Sequence, residues 1–575
     1  MNKFTLPTTP SDVSFQDKLR RLRLKKNATI HMISVPTPIL LDGDRPMSPN
    51  RTNYFPTPQL MLASSVAQRM EAEGIPWSVE FNDYKSVPDM DRWDETLVEY
   101  EQFMYGTTKV TKCMVGKGLF RLAEELADAD VVCITANFTL ETRPVVEAIR
   151  ILRKADPDKL IILGGRDAMA RPDYFKRMGA DLIANGDADY SLPELLARIY
   201  RGDELTGLVR GDILSNIDGR IRLDGLPFMR FDFLKHPLTR YCESGGGRFL
   251  PSIMAKGGVS YFETSRGCFR ECNYCTERLT QRSEMSNQRF KDEIIWLRAN
   301  GVRTVMLSDD NILQRLNHGE RGERDLVEMF EFLREMDMIW EFPVGVEIGR
   351  LMKKDGGAMY DRLLELMFWN NDDPDDFSGL FRGLIQFEYV LSIPQSGADA
   401  LSLKKMRSVD ENTQLLARLV EAGMPQVNLA VMIGFPDDTP ESVATTKHNL
   451  NALMEMRDEL VAASTRRINT HINFSVFTAT PFPGTPYFDE MRDDKRMEYD
   501  IEEHPELWTL YTSVVRGDTF SAAESTENRR ELIATGRSRH GDGKVQLHLA
   551  NKYTDAMPER TSAAGKIETF DGVPA

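Results

Sequence analysis

Three cysteines lie close together in the chain, at Cys268, Cys272 and Cys275. The chain has six cysteines in 575 residues, which is too few for a disulfide framework. Three thiolates on one loop can bind three irons of a 4Fe–4S cluster and leave the fourth iron open to another ligand. Structural zinc is the alternative, because Cys242 or a distant histidine could supply a fourth ligand. The spacing therefore predicts a metal centre in a reducing compartment such as the cytoplasm.

The pattern C-x3-C-x2-C resembles the signature of radical S-adenosylmethionine (SAM) enzymes, where it follows the first strand of a barrel. In this sequence it follows the strand-like run 259–265. The resemblance implies that the cysteines hold a 4Fe–4S cluster and that SAM chelates the open iron through its amino and carboxylate groups. One electron would then cleave SAM to a 5'-deoxyadenosyl radical. The resemblance also implies that Tyr274, just before the last cysteine, packs near the adenine.

Sequences further along the chain resemble later motifs of the same family, in the same order. Ser308, Asp309 and Asp310 end a predicted strand, where the family binds the methionine amino group, and a carboxylate suits an ammonium. Capping of a helix is the alternative role for these residues. Gln395 and Ser396 resemble the fourth-strand motif, in which the family more often has Glu-Ser-Gly.

Two further segments extend the resemblance to the end of the barrel. Ile433 and Gly434 begin a turn similar to the fifth-strand motif, whose backbone usually contacts the adenine. Here Asp437 and Asp438 replace the usual Gly-Glu pair, so the resemblance assigns no role to their side chains. The segment 481–486 is similar to the Pro-x-Pro-Gly-Thr-Pro sequence after the sixth strand. Because turns rich in Gly and Pro are common, the identification depends on the order of the four segments behind the cysteines.

The region before the cysteines resembles the cobalamin-binding domain of one class of radical SAM enzymes. The similarity lies at predicted strand ends, at Thr135, Asn137, Gly164, Gly165 and Gly186. Glycines there allow the backbone to approach a bulky ligand at the carboxyl edge of a sheet. The sequence lacks the Asp-x-His-x-x-Gly motif that supplies a histidine to cobalt in other cobalamin proteins, so no such ligand is implied. A purely structural α/β domain is the alternative, and the absence of Gly-x-Gly-x-x-Gly disfavours a pyridine nucleotide.

Two series of strands and helices position these residues. Residues 28–200 alternate apolar strand-like runs with helical patterns, which predicts a doubly wound, Rossmann-like α/β domain that binds cobalamin. Residues 258–490 contain about six further strand units, which predicts a partial TIM barrel of the radical SAM type. We expect an N-terminal arm over 1–27, a linker over 201–257 and a helical C-terminal accessory segment over 491–575.

Composition limits the partners of the protein. The formal net charge of -16 repels phosphate backbones, which argues against nucleic acid as a substrate. No apolar run approaches the ~20 residues needed to span a bilayer, and the N-terminal sequence lacks a secretory signal, so we expect no membrane partner. We therefore expect a cytoplasmic enzyme that acts on a small molecule or a peptide. Its electrons would come from an external donor of the flavodoxin or ferredoxin type.

Two cofactors in one chain indicate methyl transfer. Cobalamin would carry a methyl group from one SAM, while a second SAM supplies the radical that removes hydrogen from an unactivated carbon. The sequence therefore predicts a cobalamin-dependent radical SAM C-methyltransferase of a biosynthetic pathway. A radical SAM cyclase or rearrangement enzyme without methyl transfer is one alternative, and a sensor that binds cobalamin and SAM without turnover is another. A methylthiotransferase would need a second three-cysteine cluster, which the sequence lacks.

Overall fold

Two parallel sheets and a smaller antiparallel sheet organise the chain in the computed structural model. The structure describes residues 12–48, 55–87, 96–203, 205, 213–214, 222–238, 241, 257–352, 360–367, 384–387, 409–421, 426–463, 468–535 and 545–546. No helix within these ranges combines the length and the apolar character needed to cross a bilayer.

The N-terminal domain is organised around a six-stranded parallel sheet. The described strands of this half are, in chain order, β1 Thr29–Ser34, β2 Thr37–Asp42, β3 Arg45–Pro46, β4 Ser78–Asp83, β5 Val98–Tyr105, β6 Thr108–Val115, β7 Val131–Thr135, β8 Leu160–Gly164, β9 Leu182–Ala184 and β10 Ile213–Leu214. The sheet order is β10-β9-β8-β7-β1-β4, so the direction of winding reverses between β1 and β7. In doubly wound folds, ligands bind at the carboxyl edge beside such a reversal.

Helices cover both faces of this sheet. They are α1 Asp12–Leu24, α2 Thr57–Glu73, α3 Leu122–Glu125, α4 Thr142–Ala155, α5 Arg166–Ala170, α6 Pro172–Arg177 and α7 Ser191–Arg201. Helices α1, α2 and α7 share a hydrophobic core with one face of the sheet, and α3 and α4 pack on the other face. The predicted doubly wound architecture is therefore confirmed.

The predicted N-terminal arm is wrong over Asp12–Leu24, which forms helix α1. Phe15, Leu19 and Leu22 recur at helical spacing, and all three are buried in the domain core. The helix therefore belongs to the N-terminal domain, because its apolar face covers the sheet.

A four-stranded antiparallel sheet, ordered β3-β2-β6-β5, is inserted in the N-terminal domain and is not predicted by the sequence pattern. Its strands β5 and β6 form a hairpin through Gly106, which has a φ of 58°. The hydroxyl of Tyr105 lies 2.7 Å from the carbonyl oxygen of Ser513, and the ammonium of Lys112 donates to the carbonyl of Glu503 at 2.7 Å. The antiparallel sheet therefore connects the N-terminal domain to the C-terminal segment.

The second parallel sheet is the predicted partial barrel. The remaining strands are β11 Gly258–Phe262, β12 Ser265–Arg266, β13 Ser283–Glu284, β14 Val302–Leu307, β15 Ile339–Val346, β16 Leu384–Phe387, β17 Gln426–Ile433, β18 Ile468–Asn469, β19 His471–Thr478 and β20 Val545–Gln546. The order β11-β14-β15-β16-β17-β19 follows the chain, and every neighbouring pair is parallel. Within the described residues β11 and β19 do not pair, so the barrel is open. Its helices are α8 Asn287–Ala299, α9 Glu320–Glu335, α10 Asp361–Met367, α11 Val409–Glu421 and α12 Pro440–Ala463.

The C-terminal segment packs against the barrel. It contains the helices α13 Pro486–Asp493 and α14 Ala522–Thr535. Trp508 is fully buried, and its indole donates to the carbonyl of Pro481 at 2.8 Å. Arg529 on α14 is also fully buried and donates to the carbonyl of Val476 in β19 at 2.6 Å. The described part of this segment is therefore an integral part of the fold, although it is helical only in part.

Candidate functional site

The three cysteines lie on a loop that follows the first barrel strand. Cys272 is buried, whereas Cys268 and Cys275 are half-buried. The loop begins at Gly267, where φ is 71° and an added Cβ would lie 2.9 Å from the carbonyl oxygen of Thr280. Glycine is therefore required at this turn, which brings the cysteine loop back against the segment that follows it.

Side chains and backbone at the ends of other barrel strands hold this loop in place. Asp310, after β14, accepts a hydrogen bond from the Gly267 amide at 2.7 Å, and Gln314 donates to the Gly267 carbonyl at 3.1 Å. The amide of Tyr487, after β19, donates to the carbonyl of Asn273 at 3.1 Å. The cysteine loop therefore lies over the carboxyl edge of the barrel, where active sites of such barrels are found.

A buried carboxylate at the end of β15 fixes the middle of the loop. Glu347 forms an ion pair with Arg270, which lies between the first two cysteines, and accepts a hydrogen bond from Asn311 at 2.9 Å. The guanidinium of Arg350 lies 4.4 Å from the ring centroid of Phe269. Sequence reasoning did not identify Glu347, although an acidic residue near the end of the strand-like run 340–348 was a signal for it.

The donor set at the loop fits a 4Fe–4S cluster better than zinc. The other cysteines in the described residues, Cys113 and Cys133, are buried within strands, and burial raises the pKa of Cys133 to about 12. Within the same residues, the only group of three metal-binding atoms that lie within 4.8 Å of one another comes from His31, Glu80 and Asp128. The three sulfurs of the loop therefore do not all lie within 4.8 Å of one another. A cubane suits them because each sulfur binds a different iron. Cys242, the suggested fourth zinc ligand, lies outside the described residues.

The predicted SAM-binding residues after β14 have separate environments. Asp309 is buried and accepts hydrogen bonds from the hydroxyls of Thr264 and Ser265, both at 2.6 Å, and from the Thr264 amide at 3.2 Å. Its carboxylate therefore joins the end of β14 to the start of the cysteine loop. Ser308 donates its amide to the carbonyl of Phe262 at 2.9 Å, which continues the same connection.

Asp310 is the carboxylate of this pair that faces the site. Its side chain is 13% exposed and lies beside Glu277, two residues after Cys275. Burial, followed by the charge of Glu277, raises the pKa of Asp310 well above its ordinary value, while Arg166 opposes the shift. An ammonium group near Asp310 would relieve the repulsion between these two carboxylates.

The turn after β17 lies close to the cysteine loop. Gly434 has a φ of 80°, and its amide donates to the carboxylate of Asp438 at 2.6 Å. Ile433 is buried, and its carbonyl accepts a hydrogen bond from the Ala479 amide at 2.7 Å. Tyr274 is half-buried against the hydrophobic cluster that includes Phe435. Tyr274 therefore packs against the hydrophobic cluster to which Phe435 of the predicted adenine turn belongs, whereas Gln395 and Ser396 lie outside the described residues.

A small apolar cleft of about 40 Å³ opens at the carboxyl edge of the N-terminal sheet. Thr135 and Gly164, which are paired across β7 and β8, both line it, together with residues of α2 and α7. An added Cβ at Gly164 would meet only the Cβ of Ala184, at 3.8 Å, which is an ordinary contact. The cleft lies where doubly wound domains receive a ligand, and a nucleotide tail would have to widen it.

The other predicted cobalamin-binding residues serve the local backbone. Gly165 has a φ of 108°, and an added Cβ would lie 2.5 Å from the Ala136 carbonyl oxygen, so the chain itself requires glycine here. The side-chain oxygen of Asn137 accepts a hydrogen bond from the Arg166 amide at 3.3 Å. Gly186 has a φ of 92° in the turn after β9. A side chain at position 165 would therefore meet the protein backbone and would not reach the cleft.

Two arginines connect the carboxyl edges of the two parallel sheets. Arg166, after β8, forms an ion pair with Glu277 and lies 3.8 Å from the carboxylate of Asp310. Burial disfavours the charge of Arg166, but Glu277 and Asp310 keep its pKa above the ordinary value. The N-terminal domain therefore places a permanent positive charge beside the cysteine loop.

The second connection starts from the barrel. Arg266, two residues before Cys268, contacts Asp189 at 2.7 Å and Asp187 at 3.5 Å in the turn after β9, and Glu263 at 2.8 Å in its own domain. Sequence reasoning did not identify either arginine, because each pairs with carboxylates distant in the chain. The two carboxyl edges therefore face each other across a network of charges.

Comparison with known proteins identifies the fold. No family model matches the chain, and no curated protein matches it by sequence. The structure is similar to that of TsrM, a radical S-adenosylmethionine methyltransferase from Kitasatospora setae solved with cobalamin and a [4Fe–4S] cluster bound. The identity is 15%, the TM-score is 0.51, and the match covers 87% of this chain and 85% of TsrM.

Structures of SuiB from Streptococcus suis are also similar. With the precursor peptide SuiA bound, the identity is 12%, the TM-score is 0.24, and the match covers 44% of this chain and 46% of that one. With S-adenosylmethionine bound, the identity is 12%, the TM-score is 0.22, and the match covers 43% of this chain and 54% of that one. From the match to TsrM, the chain has the fold of that methyltransferase, and the predicted order of a doubly wound domain followed by a partial barrel is confirmed.

Proposed function

We propose that this chain is a radical SAM enzyme that uses cobalamin to methylate an unactivated carbon of a small molecule or peptide. The observation that carries the proposal is the contact between the two carboxyl edges, in which Arg166 of the doubly wound domain pairs with Glu277 beside Cys275. A methyl transfer between two cofactors requires such an arrangement, because both must reach one substrate. The fold shared with TsrM, whose structure holds both cofactors, supports the same proposal.

Each edge has residues suited to one cofactor. Cys268, Cys272 and Cys275 would hold the cluster, and Asp310 would accept the ammonium of SAM. Tyr274 and the turn at Ile433 and Gly434 would pack against the adenine. On the other edge, the cleft at Thr135 and Gly164 would receive the nucleotide tail of cobalamin.

When bound, the cluster would supply one electron to cleave SAM, and cobalamin would carry the methyl group. Per methyl transferred, the reaction consumes two SAM and two electrons and yields methionine, 5'-deoxyadenosine and S-adenosylhomocysteine. The electrons require an external donor of the flavodoxin or ferredoxin type, which we place with the enzyme in the cytoplasm. The protein would orient the cofactors and exclude water between its two edges.

The products of SAM test this proposal without a known substrate. The reconstituted protein is incubated anaerobically with a reductant and SAM, with and without added cobalamin. We expect 5'-deoxyadenosine in both reactions, and S-adenosylhomocysteine only with cobalamin, at up to one equivalent per bound cobalamin. The Cys268→Ala variant is the control and should form no 5'-deoxyadenosine.

The two alternative functions predict other products. Formation of 5'-deoxyadenosine without cobalamin-dependent S-adenosylhomocysteine would indicate a cyclase or rearrangement enzyme. Binding of SAM without either product would indicate a sensor.

A further inference from the structure

A buried histidine on the N-terminal sheet has one ring nitrogen without a hydrogen-bond partner. His31 lies in the middle of β1, is 2% exposed, and its Nε2 makes no hydrogen bond. Its Nδ1 lies 2.7 Å from the side-chain nitrogen of Asn82. A buried polar atom without a partner is costly, so its retention calls for an explanation.

Two carboxylates face this nitrogen. Glu80 is the partner of His31 in the parallel register of β1 and β4, and Asp128 lies in the turn before β7. One oxygen of Asp128 lies 3.6 Å from Nε2, and the ligand atoms of all three residues lie within 4.8 Å of one another. Both carboxylates are exposed, so an ion could reach them from solvent.

The group lies away from both proposed cofactor sites. Met32, the next residue on β1, lines the cobalamin cleft, and successive side chains on a strand point to opposite faces. His31 therefore faces the other side of the sheet. A cation also lies beside this group, because the ammonium of Lys235 lies 3.9 Å from Glu80 and also donates to Asn82.

We propose that His31, Glu80 and Asp128 bind a divalent transition-metal ion of the Zn²⁺ type, with water completing its coordination. One imidazole nitrogen and two carboxylate oxygens form a donor set that zinc accepts. The ion would join β1, β4 and the turn before β7, which belong to the sheet that carries the cobalamin cleft.

Metal binding makes a specific demand on Asn82. A zinc-bound Nε2 requires the ring proton on Nδ1, and a metal-bound histidine usually donates that proton to an oxygen. Asn82 would therefore turn its amide so that its oxygen accepts from His31, and Lys235 would move towards Glu80.

Zinc titration of the iron-loaded protein tests the site, because the loop cysteines are then occupied. Bound zinc and iron are measured in the same anaerobic sample for the wild type, His31→Gln and Asp128→Ala. The matched control is His318→Gln, which removes an exposed histidine that lies 3.0 Å from Glu284. Asp128 is on the surface, so its variant retains the fold even if His31→Gln does not.

We expect one zinc per chain in the wild type and the His318 control. Zinc affinity should be at least about tenfold weaker in His31→Gln and Asp128→Ala, with the iron content unchanged. Zinc bound equally by all four proteins, or not bound by the wild type, would overturn the proposal. Neither outcome depends on SAM turnover, so the proposed function stands or falls separately.

Discussion

The two carboxyl edges that face each other are built from different groups. The barrel edge presents charged side chains, such as Asp310 and Glu347, while the N-terminal edge presents an apolar cleft at Thr135 and Gly164. The barrel edge therefore suits the charged ends of SAM, and the cleft of the N-terminal edge suits an apolar group.

A second comparison holds within each edge. Asp309 and Asp310 are adjacent, yet one is buried under three hydrogen bonds and the other faces Glu277. Gly164 and Gly165 are also adjacent, yet only Gly164 lines the cleft. In each pair, one residue faces the site and its neighbour maintains the backbone that forms it. Motifs identify such pairs but do not tell their members apart.

The largest expected effect is the loss of the cluster. Cys268→Ala should remove essentially all iron and the brown colour, because the loop offers three thiolates and the cluster needs all of them. Iron analysis and absorption spectra after anaerobic reconstitution measure this. Cys113→Ala, which changes a buried cysteine of β6, should keep its iron. Stoichiometric zinc without iron in the wild type would show that the centre is a zinc site.

The adjacent aspartates separate binding from stability. Asp310→Ala should weaken SAM binding by about 10- to 150-fold, since a hydrogen bond to a charged group contributes about 1.5–3 kcal/mol. Asp309→Ala should instead lower the free energy of unfolding by about 1–3 kcal/mol, because it leaves buried donors of Thr264 and Ser265 without an acceptor.

Calorimetric titration with SAM and urea unfolding measure the two effects. If Asp309→Ala lost SAM affinity at unchanged stability, the assigned roles would have to be exchanged.

The adjacent glycines provide the same comparison on the other edge. Gly164→Val should fold and bind cobalamin about 5- to 150-fold more weakly, since overfilling a packed site costs about 1–3 kcal/mol. Gly165→Val should lower stability, because its Cβ would clash with the Ala136 carbonyl at a positive φ. Cobalamin content and thermal unfolding are measured for both variants. Full cobalamin occupancy in Gly164→Val would show that the cleft is not part of the cobalamin site.

The smallest expected effect is on the pH dependence of SAM affinity, through which the two edges are coupled. Burial and Glu277 raise the pKa of Asp310, and only the ionised carboxylate attracts an ammonium, so SAM affinity should fall as the pH falls through that raised pKa. Arg166→Met removes the cation that opposes the shift and should move this fall upward by about one pH unit. SAM affinity measured across pH tests this, with Arg266→Met as the control. Identical profiles in the wild type and Arg166→Met would mean that the edges are not coupled.

Sequence reasoning predicted the elements that are determined by residue patterns within a short segment of the chain. Buried strand runs predicted both parallel sheets, and the cysteine spacing identified the loop at Cys268. The sequence also contained the β5–β6 hairpin, as two runs of eight residues rich in strand-forming types on either side of Gly106, although it was not recognised. The ion pairs of Arg166 and Arg266 could not be predicted, because they depend on how two domains meet. The same holds for the burial of Asp309, since its partners lie on a neighbouring strand end.

The cofactor content of the anaerobically purified protein tests the central claim most directly. The protein is produced with ample cobalamin, desalted, and examined by absorption spectroscopy and by iron and cobalt analysis. If each of the two facing edges holds a cofactor, we expect about four iron atoms and one cobalt per chain. The cobalamin spectrum should show no histidine ligand to cobalt. A protein that carries its iron but no cobalt, and still converts SAM to 5'-deoxyadenosine, would contradict the account.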